Sequence, residues 1–136
     1  MTCPLCDASG GEVLWRSDLC RVVLADEQDY PGFLRVILSA HVKEMTDLPV
    51  ADQLNLMRVV FAAEAALREV MQPDKINLAS LGNVVPHLHW HVIPRFADDP
   101  HFPNPVWGQK TAHGKRHPAS ADLAARLEHA LHSLLK

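Results

Sequence analysis

Between Pro86 and Arg95 the chain reads Pro-His-Leu-His-Trp-His-Val-Ile-Pro-Arg, and this segment limits the possible folds more than any other. Successive side chains on a β-strand point to opposite faces. A strand over residues 87–93 therefore lines one face with His87, His89 and His91, about 6.5–7 Å apart in successive pairs, and the other with Leu88, Trp90 and Val92. The apolar face calls for a helix to pack on it, and the imidazole face is left for chemistry. Solvent-facing strand positions with only a structural task favour Thr or Lys, so three imidazoles in strict alternation point to a site. Two chemistries fit. A neutral imidazole with one ring N–H held by a neighbour offers its other nitrogen as a nucleophile, and phosphorus is a suitable target. Alternatively, the histidines converge on a catalytic zinc with one position open for water.

The flanking sequence supplies the rest of a fold. Residues 12–16, 20–25 and 33–38 read as three short strands separated by Ser17-Asp18 and by a polar loop that ends in Pro31-Gly32, which predicts an antiparallel meander. Asp47-Leu48-Pro49 carries helix-start chemistry, and Leu56, Val60, Ala63, Leu67 and Val70 then recur at helical spacing up to Pro73. Residues 76–79 form a fourth strand, Gly82-Asn83 a turn, and the histidine segment the fifth strand. The Pro-, Asp- and Asn-rich stretch 97–118 is an ordered excursion, and Ser120 caps a last helix carrying Leu123, Leu127, Leu131 and Leu134 on one face. The order predicts an α+β domain of about five strands with one long helix and a C-terminal helix. At 136 residues the chain is expected to form a single domain, 1–136.

Composition narrows the function. Thirteen basic against sixteen acidic side chains give −3, so there is no basic excess to neutralise a nucleic-acid backbone. A small phosphorylated ligand needs only a few local donors and stays allowed. No apolar run is long enough to span a membrane. Three cysteines, Cys3, Cys6 and Cys20, do not make a disulfide framework. The chain starts without a basic or apolar leader, so a cytoplasmic location with reduced thiols is expected. Cys3-Pro4-Leu5-Cys6 is then half a metal site, a redox pair, or neither.

The run His87-Leu88-His89-Trp90-His91-Val92-Ile93, followed by Pro94-Arg95, resembles the signature of the histidine triad (HIT) family. The resemblance extends over most of the chain: the 26–32 loop is similar to the family's nucleoside-binding loop, His41 follows the third strand as a family His does, and Trp107 resembles the tail Trp of bacterial members. It implies a homodimer with joined sheets and a small-molecule nucleotide substrate such as a dinucleoside polyphosphate or a nucleoside phosphoramidate. By position His89 attacks the α-phosphorus to form a nucleotidyl-histidine, His91 donates to a phosphoryl oxygen, Asp26 accepts from ribose hydroxyls, and Asn77 and Asn83 contact phosphate or sugar. Leu24 and Phe33 would border the base. No cofactor is required for that chemistry. Some bacterial members with an N-terminal C-x-x-C bind zinc, and the resemblance implies a structural zinc on Cys3, Cys6, His41 and His87.

The pattern departs from the family at two places. Many members have Gly-Gln-Ser/Thr-Val where this chain has Gly82-Asn83-Val84-Val85, so Val84 replaces a hydroxyl that would touch the leaving group. The loop after Asp26 is also about one residue short, which leaves Glu27 as an alternative to Asp26. A zinc-dependent hydrolase, and a nucleotide-binding regulator with weak turnover, are therefore the competing readings. His101, His113 and His117 are expected to be solvated, Trp107 to be a packing anchor, and Asp98-Asp99 to have no role. Arg95 is expected in a surface salt bridge or on a phosphate.

Overall fold

The structure is a computed structural model that describes residues 2–136. A four-residue helical turn, α1 (Pro4–Asp7), leads into strands β1 (Glu12–Arg16), β2 (Cys20–Leu24) and β3 (Leu34–Leu38). The long helix α2 (Val50–Met71) follows, then β4 (Lys75–Ala79), β5 (His89–Arg95) and helix α3 (Leu123–Leu134). The five strands form one antiparallel sheet in the order β1-β2-β3-β5-β4. The first three are the meander expected from sequence. The histidine strand is then inserted between β3 and β4, which puts β5 inside the sheet and leaves β4 at an edge.

One face of this sheet is the core. Cys20, Val22, Leu34, Val36, Leu38 and Val92 pack against Leu56, Val59, Val60, Ala63 and Leu67 of α2 and Leu127 and Leu131 of α3. The buried positions of α2 continue the spacing seen in sequence and widen the stripe to Val59, Ala62 and Ala66, because α3 packs beside the sheet against the same helix. Trp90 joins this core from β5, and so does Leu88 just ahead of it. Leu24, expected beside a nucleobase, also points to the helices, since strand alternation puts it on the same face as Val22.

Element ends differ from the sequence reading in ways that have local causes. α2 begins at Val50 because residues 45–47 form a 3-10 turn, leaving Pro49 as the residue before the helix. It stops at Gln72, which takes the left-handed conformation at φ 53°. α3 begins at Leu123, and the amide of Leu123 donates to the carbonyl of Ser120 instead of to a capping hydroxyl. Gly32 is required where it stands: its φ is +89°, and a Cβ there would lie 2.3 Å from the sulfur of Met71. That contact seats the 26–33 loop on the end of α2.

No helix among the described residues is long and apolar enough to cross a membrane.

Candidate functional site

The second face of the sheet carries His89 and His91. β5 starts at His89, so His87 lies in a bend just ahead of the strand and not in its regular part. The three histidines consequently divide into one and two. His89 and His91 lie on the open face opposite Ile37 and Arg35 of β3, their Cα partners in the register. Their rings meet edge to face with centroids 5.0 Å apart, closer than the ideal strand spacing because the rings lean together.

His89 is held in a single tautomer. Its Nδ1 lies 2.6 Å from the carbonyl oxygen of His87, which can only accept, so Nδ1 carries the proton and Nε2 keeps its lone pair. The hydroxyl of Ser80 donates to the carbonyl oxygen of His89 at 2.8 Å and fixes the backbone beneath the ring. His91 packs against the edges of Phe33 (5.5 Å) and Trp107 (4.9 Å). Its Nδ1 is buried without a partner. Burial first, then the nearby His89 and the charge of Arg35, push its pKa down to about 4, so the ring is neutral at pH 7. Its one proton then has its productive place on Nε2, since Nδ1 has nothing to donate to.

Arg21, Arg35 and Arg95 lie along this face, and they differ in how they are used. Arg21 gives its donors to the carbonyls of Leu5, Ala8 and Ser9 and so fastens α1 to the sheet. Arg95 is buried in an ion pair with Asp99. Arg35 donates to the carbonyl of Gly10 at 3.2 Å and approaches Glu27 at 3.5 Å, which leaves it the most loosely held cation beside His91.

His87 belongs to another cluster. It is fully buried, and its Nε2 donates to the carbonyl of Leu38 at 2.6 Å. Its Nδ1 therefore faces outward as a lone pair, 3.4 Å from the sulfur of Cys3 and 3.3 Å from that of Cys6. His41 brings its Nδ1 within 3.3 Å of Cys6. One ligand atom from each of Cys3, Cys6, His41 and His87 lies within 4.8 Å of the other three. Ligand–ligand distances around a tetrahedral zinc are about 3.3–3.8 Å, from Zn–S near 2.3 Å and Zn–N near 2.0–2.1 Å. Two thiols, two imidazoles and a carbonyl that sets the His87 tautomer are a donor set that could hold a metal ion. Three triad histidines around one catalytic metal would require His87 to leave this cluster.

Asn77 is half-buried on β4, paired with Ile93, on the same face as His89 and His91. Asp26 and Asn83 are exposed on loops, as is Val84 at 92% exposure. Trp107, expected as a packing anchor, is 51% exposed with its ring against His91.

Reading the sequence missed a buried polar node next to this face. Arg95 is not at the surface: it and Asp99 are each 2% exposed. Asp99 accepts from Arg95 Nε and Nη2, from the amides of Phe96, His101 and Phe102, and from the Tyr30 hydroxyl. Burial alone would raise its pKa, but Arg95 and those amides outweigh it and hold the carboxyl well below the usual range. His101, expected in solvent, is buried with Nδ1 donating to the Tyr30 oxygen at 2.6 Å. His117 is half-buried, stacked on Phe96 and paired with Asp98. The Arg-x-x-x-Asp spacing was the available signal, but only a folded 96–118 segment shows that it closes on itself.

Residues 9–98 match the family model described as the HIT domain. A protein named AP-4-A phosphorylase from Mycobacterium tuberculosis is 30% identical over 106 residues, covering 74% of this chain and 54% of the relative. An asymmetrical bis(5'-nucleosyl)-tetraphosphatase from Schizosaccharomyces pombe is 26% identical over 91 residues, covering 63% of this chain and 50% of its own. The chain thus spans about half the length of these curated relatives. A solved histidine triad protein from Bradyrhizobium japonicum superimposes with a TM-score of 0.74 at 29% identity, over 94% of this chain and 92% of that one.

Proposed function

The chain belongs to the HIT-domain family, and from that premise we propose that it is a nucleotide hydrolase or transferase acting at an α-phosphorus, with His89 as nucleophile. The observation that carries this reading is the hydrogen bond from His89 Nδ1–H to the carbonyl of His87, which leaves Nε2 as a lone pair on the open face. The enzymes named among the relatives act on dinucleoside tetraphosphates, which makes that class the favoured substrate, with nucleoside phosphoramidates as the second class.

In this mechanism His89 Nε2 forms a bond to the α-phosphorus while the bond to the leaving group breaks, and the leaving group departs with the electron pair. Neutral His91 donates from Nε2 to a phosphoryl oxygen whose charge grows in the transition state. Water then attacks the phosphorus, the N–P bond breaks, and the nucleoside monophosphate leaves with neutral His89 restored. Asp26 accepts from the ribose hydroxyls, and Asn77 and Asn83 donate to phosphate or sugar oxygens. Arg35 adds positive potential beside the reacting phosphate.

Cys3, Cys6, His41 and His87 would hold a structural zinc, which supplies no catalytic water because four protein ligands close its coordination. No cofactor is needed for the reaction itself. Residues 1–136 act as one HIT-like domain, and two chains pair through their sheets. Support for pairing comes from the edge position of β4 and from Val50, Leu54 and Phe61, which share an exposed stripe of α2. Sedimentation at a one-chain mass would remove that part.

The test is an intact-mass spectrum, quenched in alkali during turnover of diadenosine tetraphosphate or adenosine phosphoramidate, on EDTA-treated protein. A nucleotidyl adduct on the wild type and none on His89→Ala is the expected result. Loss of AMP release on EDTA treatment that persists in a Cys6→Ala variant, which lacks the cysteine–histidine metal site, would favour a metal-hydroxide mechanism. AMP binding without release would favour a regulator, for which the apolar Val84 is the supporting feature.

A further inference from the structure

We propose that Arg95 is a positioning residue for nucleotide binding: it turns the Asn77 amide so that the NH2 group, and not the oxygen, is offered to the ligand. The proposal rests on the nucleotide reading above. A guanidinium has only donors, so the 2.7 Å contact between Arg95 Nη1 and Asn77 must be made to the amide oxygen. That oxygen is thereby used. The amide nitrogen faces the other way and makes no hydrogen bond among the described residues. A freely rotating Asn would offer either end; this one is set as a donor, the polarity that a phosphate or ribose oxygen needs.

Arg95 can impose this because it cannot itself turn. Its Nε and Nη2 grip the Asp99 carboxylate at 2.8 and 3.1 Å, and Nη2 also donates to the carbonyl of Asn104 at 2.7 Å. The same carboxylate accepts from Tyr30, whose loop carries Asp26, and from the amides of His101 and Phe102 in the segment that leads to Trp107. Three parts that face the site are therefore held from one ion pair: the Asn77 amide, the 26–33 loop and the 96–108 segment.

A merely structural ion pair would stabilise the fold without acting through Asn77, and a double-mutant cycle separates the two. AMP affinity is measured by calorimetry for wild type, Arg95→Lys, Asn77→Ala and the double variant. Lys keeps the charge against Asp99 but lacks the fork that reaches Asn77 as well. Arg95→Lys is expected to weaken AMP binding about tenfold in the wild-type background and to change nothing further in the Asn77→Ala background. With diadenosine tetraphosphate the loss should fall on KM more than on kcat. Equal losses in both backgrounds, or no loss in the first, would overturn the proposal while leaving the nucleotide reading in place. Wild type that binds no AMP would overturn both. If Arg95→Lys does not fold, Asn77→Asp decides: it keeps an acceptor for Arg95 but removes the donor. It should melt no lower than wild type and lose at least tenfold in AMP affinity, and unchanged affinity would sink the proposal.

Discussion

At one end of β5, His87 sits against two thiols and His41. At the other end, Arg95 is clasped by Asp99 among six accepted hydrogen bonds. Between these anchors lie His89 and His91 on the open face. The two anchors hold the same strand by unlike physics. The Arg95–Asp99 pair is buried, already satisfied and independent of any added ion. The sulfur–imidazole cluster has its donors gathered around a point that a soft metal would fill, so its strength depends on metal, acid and oxidation. His89 is therefore steadied from both sides but can be loosened from only one by a change of conditions: the His87 carbonyl that holds it belongs to a residue of the cysteine–histidine cluster.

The largest effect should come from cutting the permanent anchor. Asp99→Ala leaves the Arg95 charge buried without a partner, which typically costs about 3–5 kcal/mol. Urea unfolding should show that loss, and a change below about 1 kcal/mol would mean that the node is not the anchor described. The conditional anchor should give a smaller, reagent-dependent effect. Chelation of protein as purified should lower the melting temperature by an amount that reflects zinc affinity, about 2.7 kcal/mol where free zinc stands at 100 times its Kd. Cys6→Ala should abolish bound zinc and remove the response to chelator, while Asp99→Ala should keep both. A chelator response that survives in Cys6→Ala would place the metal elsewhere.

The smallest effect concerns pH, tested in the Cys6→Ala background so that metal release does not contribute. In the folded chain the His91 pKa is about 4, against about 6.5 in an unfolded chain. Well above pH 6.5 neither state is protonated and His91 adds no penalty. As pH falls from 6.5 towards 4 the unfolded state takes up a proton that the folded state does not, so stability declines. The decline should approach about 2 kcal/mol between pH 7 and pH 5, by urea unfolding, and should shrink in His91→Gln. NMR titration should keep the His91 ring neutral at pH 6; protonation there would refute the buried, orphaned Nδ1.

Much of this molecule was legible in its residues. Alternation of His with Leu, Trp and Val identified a strand with one apolar face, and Leu88, Trp90 and Val92 do pack toward the helices. Helical spacing located α2 and α3, and turn residues separated the meander strands. These readings succeed because local periodicity and burial are coupled at short range. The family signature likewise resides in a few contiguous residues, so it could be recognised without a fold.

Other features required the tertiary structure. No local pattern says that β5 enters between β3 and β4, because strand order follows from which edges meet in space. By strand alternation alone His87 is equivalent to His89 and His91, and only the family resemblance grouped it with the cysteines; the bend before β5 is what turns it to Cys3 and Cys6, 84 and 81 residues earlier in the chain. Asp99 looked like half of an unassigned acidic pair, and Arg95 like a surface charge. Only the folded 96–108 segment, with Tyr30 of the 26–33 loop against it, places backbone amides, a hydroxyl and the Asn104 carbonyl around them. The residue types alone determined which chemistry the chain could perform. Which nitrogen is free, which charge is buried and which end of an amide is left unpaired were decided by the folded arrangement of their partners, since a hydrogen bond depends on position and direction and not on composition.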